Sequence, residues 1–70
     1  MEKNTTLEAV VHSIYADKIL CQINDVKIII PHNKITDVPD LKLYYYFQVG
    51  MSIEFIPEEY DKHGNVLGSL

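Results

Sequence analysis

Seventy residues with six basic and ten acidic side chains allow one small domain of net charge −4. A chain of this length buries only ~60% of its unfolded surface, so the core is thin. A single cysteine, Cys21, excludes a disulfide framework and a four-thiolate zinc site, and the absence of arginine removes the usual bidentate phosphate contact.

The opening residues Met1–Thr6 are polar and expected to be flexible; they lack the basic start and apolar core of a signal peptide. No apolar run approaches the ~20 residues that span a membrane. Together with the lone cysteine, this makes the expected setting cytoplasmic, with no membrane partner. Residues 7–70 are expected to form the single domain.

Leu7–Tyr15 is the first predicted strand. Leu7, Ala9 and Val11 share one face, but Val10 and Ile14 fall on the polar side, as when a strand curls round a barrel. Ala16-Asp17 makes a turn into a second strand, Lys18–Ile23, with Ile19, Cys21 and Ile23 on one side. Asn24-Asp25 then reads as a two-residue hairpin loop, since both residues tolerate positive φ. The third strand, Val26–Ile30, is the most strongly β-branched stretch and is stopped by Pro31, which cannot donate to a ladder. His32–Ile35 reads as a short helical turn or tight loop. Leu41–Phe47 reads as a compact connection with one side packed on the barrel, a helical turn or a short strand being open; the favoured account turns Leu43, Tyr45 and Phe47 inward and leaves Tyr44 and Tyr46 on the surface. Met51, Ile53 and Phe55 restart the alternation, and Pro57–Asp61 extends or bends that strand. Asp61–Asn65 is a turn with Gly64 suited to a left-handed position, and Val66–Leu70 is the last strand. The pattern predicts an all-β, five-stranded OB-fold barrel with a short helical turn between strands three and four.

Three segments carry a family likeness. They are Val26–Ile35, Phe47–Phe55 with Gly50 at the strand entry, and Tyr60–Val66 with Asp61 and Gly64 in the last turn. In their order and spacing the chain resembles the RNA-binding domains of ribosomal protein S-one and bacterial translation initiation factor one. Cold-shock domains are similar over the last two segments. The resemblance implies an OB barrel that binds RNA or single-stranded nucleic acid, with a role in translation or RNA metabolism. Where the family carries exposed stacking aromatics, this sequence has Asp17 and Leu20. Pro31 falls at the place of a family histidine, with His32 beside it, and Ile28 stands at that of a strand-three glycine.

OB barrels bind along strands two and three and the loops joining strands one–two and four–five. On that pattern the nucleic-acid-binding candidates are Tyr15, Lys18, Leu20, Lys27, Ile29, His32, Lys62 and His63. The other reading is a protein-interaction module, facing a protein partner or a second copy, with Tyr44 and Tyr46 as interface candidates. Clustering of Lys18, Lys27, Lys34 and Lys62 on one face would favour the first. His12, His32 and His63 follow no metal-ligand spacing, and Cys21 reads as a small core residue. With no nucleophile–base pair and no glycine-rich phosphate loop, neither catalysis nor a cofactor or metal is expected.

Overall fold

A computed structural model describes residues 6–70. The expected flexible N-terminus, 1–6, lies outside the described residues apart from Thr6, which is exposed. Five strands follow: β1 (Leu7–Ile14), β2 (Lys18–Ile23), β3 (Val26–Pro31), β4 (Ser52–Tyr60) and β5 (Val66–Ser69). They close into a barrel in the order β1-β2-β3-β5-β4, with β1 returning to β4. All neighbours are antiparallel except β3 and β5, which run parallel. Five strands in this order are an OB barrel, and every strand has a partner on both sides over part of its length.

Between β3 and β4 the chain makes two 3-10 turns, His32–Lys34 and Leu43–Tyr45. The second drops Leu43 into the core, where it is fully buried. Tyr44, Tyr45 and Tyr46 all stay outside, with Tyr45 the most exposed at 74%. The inward placement expected of Tyr45 is thus corrected. The chain turns here instead of alternating: the amides of Tyr46 and Phe47 both donate to the Leu43 carbonyl, and Phe47, four residues after Leu43, is the next side chain to pack against the core.

Alternation fills the interior with Ala9 and Val11 from β1, Ile19 and Cys21 from β2, Ile28 and Ile30 from β3, and Ile53 and Phe55 from β4. The irregular pattern of the first strand has a local cause. The register steps from Val11↔Cys21 to Ser13↔Leu20, so His12 is an extra residue, a β-bulge. Past the bulge the parity of β1 reverses, and Ile14 turns inward opposite Ile19. A second bulge lies at Glu58 in β4, between Pro57↔Gly68 and Glu59↔Leu67. Pro57 stands past Phe55↔Leu7, the last pair of the β1–β4 ladder among the described residues.

Turns fix the ends. Asn24 alone takes positive φ in the β2–β3 hairpin, at +52°, and Gly64 takes +86° in the last turn. The register places the 15–17 turn, the 3-10 turns and the C-terminus at one end of the barrel. The Asn24-Asp25 hairpin and the 61–65 turn lie at the other.

Candidate nucleic-acid interface

Because Ile19, Cys21, Ile28 and Ile30 face inward, their neighbours face out. The pairs Lys18↔Pro31, Leu20↔Ile29 and Gln22↔Lys27 make three cross-strand rows on the outside of β2 and β3. Successive rows lie ~7 Å apart, two residues along each strand, so Lys18 and Lys27 are ~13 Å apart along the strands. No acid occupies any of these outward positions. Acids flank the face instead: Glu8 stands directly opposite Glu54 across β1 and β4, and Glu59 lies opposite Leu67 on β5.

Tyr15 sits just past β1, half-exposed, and the Lys18 ammonium lies 4.9 Å from its ring centroid. Such a cation–π contact holds the ring beside the strand-two face while about half of the residue stays exposed. Lys18 also lies 3.6 Å from the Asp17 carboxylate, an exposed pair that contributes little. Lys27 makes no ion pair among the described residues, so its charge is unspent. The β1 bulge, Tyr15, Leu20, Gln22 and Lys27 line one depression of about 180 Å³.

The structure therefore brings Tyr15, Lys18, Leu20, Lys27 and Ile29 onto one surface. The other three candidates lie past its ends: His32 beyond the Lys18↔Pro31 row, and Lys62 and His63 in the turn beyond the Gln22↔Lys27 end. A ring nitrogen of His32, Nε2, lies 2.9 Å from the Leu41 carbonyl, and the His32 amide donates to the Asp17 carbonyl. His32 thus ties the connection to the 15–17 turn. Lys62 and His63 occupy the 61–65 turn, at the far end of β3 from Tyr15 and Lys18. That turn is built by Asp61, whose Oδ1 accepts from the amides of His63 and Asn65 and whose Oδ2 accepts from Asn65 Nδ2. The Asn65 amide above all, with the Asn65 side chain and the His63 amide, holds the Asp61 carboxyl below the usual carboxylate range.

Of the four lysines whose placement discriminates, Lys18 and Lys27 share the face. Lys34 is ion-paired instead with Glu58 at 3.2 Å. Glu58 also accepts from the Ser69 hydroxyl at 2.8 Å, and the Leu70 amide donates to the Lys34 carbonyl. This group clasps the end of β5 to the first 3-10 turn where the short β3–β5 ladder has run out. The Ser69 hydroxyl first, then Lys34, lowers the Glu58 pKa.

Burial pushes the Cys21 thiol up to about 11, so it carries no thiolate near neutrality. Among the described residues no three His, Cys, Asp or Glu side chains are grouped to hold a metal, and no helix is long and apolar enough to cross a membrane. No protein-family model matches the chain, and no curated protein matches it in sequence.

Proposed function

We propose that this barrel is a non-enzymatic cytoplasmic module that binds single-stranded nucleic acid, RNA foremost, in translation or RNA metabolism. The observation that carries this reading is the acid-free outer face of β2 and β3 in a chain of net charge −4. Two lysines there can neutralise phosphates, and Tyr15 offers a ring on which a base stacks for ~1–3 kcal/mol. The likeness to S-one-type domains points the same way, as analogy only.

The test is an NMR titration of isotope-labelled protein with a short single-stranded RNA at low salt, repeated at higher salt. Shifts centred on Tyr15, Lys18, Leu20 and Lys27 that weaken as salt rises are the expected result. Absence of shifts at millimolar RNA sinks the reading. The second reading, a protein-interaction module, is favoured by Tyr44–Tyr46, three consecutive tyrosines exposed by 58%, 74% and 63%. Aromatic residues are enriched at protein interfaces, so this surface is where a protein partner would be sought.

A further inference from the structure

The outer face does not end at β2. His12, extruded by the bulge, and Gln22 stand together as a wall with a depression on either side. One is the site already described, with Tyr15, Leu20 and Lys27. The other, about 470 Å³, lies toward β4 and is lined by Val10, Asn24, Val49 and Gly50. Its far side is held in place: the Gly50 amide donates to the Val11 carbonyl at 2.8 Å, and the Val11 amide donates to the Met51 carbonyl at 2.9 Å. Gly50 takes φ +95° with no atom within 4 Å of where a Cβ would stand, so this rim is open to solvent.

We infer that a bound strand crosses β1 at the bulge and seats a second nucleotide in the Val10–Val49 depression, rather than running toward the 61–65 turn. This rests on the nucleic-acid reading above and deepens it. Three observations carry it. The two depressions share His12 and Gln22, so they adjoin across the strands, one on each side of that wall. Neither is lined by a carboxylate, whereas the depression beside the 15–17 turn contains Asp17 and Asp37. A fourth depression, between Leu7, Val26 and Tyr60, shares no residue with the first, so it does not continue the path from Lys27. The wall itself supplies polar groups suited to the link between two nucleotides. Gln22 Nε2 donates to the Asn24 carbonyl, leaving Oε1 to accept, and His12 Nδ1 pairs with the Ser13 hydroxyl, leaving Nε2. Val10 and Val49, 45% and 67% exposed, offer apolar surface against which a base can lie.

The experiment uses tetrauridylate carrying a spin label at one terminus, then at the other, with labelled protein at low salt. One of the two labels should broaden the amides of Val49 and Gly50. Val49→Glu places a carboxylate in the second seat at an exposed position that folding does not need. It should weaken tetrauridylate binding ~5-fold or more, the low end of what one seated base contributes. A Lys62→Ala/His63→Ala double variant should bind as the parent does. If tetrauridylate shifts Tyr15, Leu20 and Lys27 but broadening falls on Lys62 and His63, or V49E binds like the parent, the path over β1 is wrong and the interface stands. If tetrauridylate does not bind at all, both fall.

Discussion

Replacing Lys27 with alanine tests the interface most directly, because the side chain is exposed, lies in an outward row of the face and has no ion-pair partner among the described residues. Each phosphate neutralised on a single strand contributes ~0.7 to the slope of log affinity against log salt. Lys18 and Lys27 together predict a slope of about −1.4, so a fourfold rise in salt weakens binding about sevenfold. With Lys27→Ala the slope falls to about −0.7 and the same rise in salt costs less than about threefold. Lys34→Ala should leave the slope alone, since Lys34 is paired with Glu58 away from the face. The assay is fluorescence anisotropy of a labelled oligouridylate across a salt series. A K27A slope equal to the parent's refutes the assignment. A parent slope steeper than about −3 also refutes it, because two lysines cannot supply that many phosphate contacts.

Asp17→Asn should raise affinity about two- to threefold at low salt, since it removes the carboxylate 3.6 Å from Lys18; equal affinities in a parallel titration would mean that Asp17 does not compete with phosphate. Gly68→Ala places a methyl 2.7 Å from Phe55 Cδ2 and 3.2 Å from the Ile56 carbonyl. Overpacking of that kind costs ~1–3 kcal/mol, and a domain of this size loses ~4–8 °C in Tm per kcal/mol. A G68A melt superimposable on the parent's would show that the close approach is not real. The carboxyls of Asp61 and Glu58 lie below their ordinary values of 3.8 and 4.5 in the fold. The unfolded chain therefore binds these protons first, so the stabilisation is full above about pH 4.5 and is lost as pH falls through the lowered values. Asp61→Asn should flatten the fall in Tm between neutral pH and pH ~3, and an unchanged profile would argue against the Asp61 turn as an acid-sensitive element.

The barrel was legible because its cues are local. The β-branched run Val26–Ile30, the stop at Pro31, the Asn24-Asp25 hairpin and Gly64 each declare a strand or a turn within a few residues, and all are in place. What escaped depends on partners distant in sequence. Nothing around His12 announces that β2 will force an extra residue there, yet the bulge reverses the parity of β1 and makes the wall between the two depressions. The two-residue alternation wrongly applied to Leu41–Phe47 turned Tyr45 inward, where a three-residue turn keeps it out. The tie that His32 makes to the connection was not legible because its acceptor, the Leu41 carbonyl, is nine residues away. The same holds for Lys34 in the first 3-10 turn, whose partner Glu58 is on β4, and for Gly68, whose reason is the Phe55 ring.

The acids that flank the face give it a finite length. Glu8 and Glu54 lie directly opposite one another just beyond Val10↔Ser52, so a strand continuing past the second depression meets two carboxylates. Affinity in the parent should therefore stop rising, apart from the statistical gain of extra registers, once an oligonucleotide exceeds a few residues. Glu54→Lys changes both terms. It replaces a like-charged cross-strand pair by an opposite one, stabilising the barrel by roughly 0.2–1 kcal/mol. It also puts a cation where the strand would otherwise be repelled. The gain in affinity should then grow with oligonucleotide length, and it should be small for the shortest ligands, which never reach β4. A gain that is uniform over all lengths would instead trace to the change in net charge from −4 to −2, one acid lost and one lysine gained. That outcome would mean that the field of the whole molecule, rather than the acid-free face between two acidic borders, sets binding.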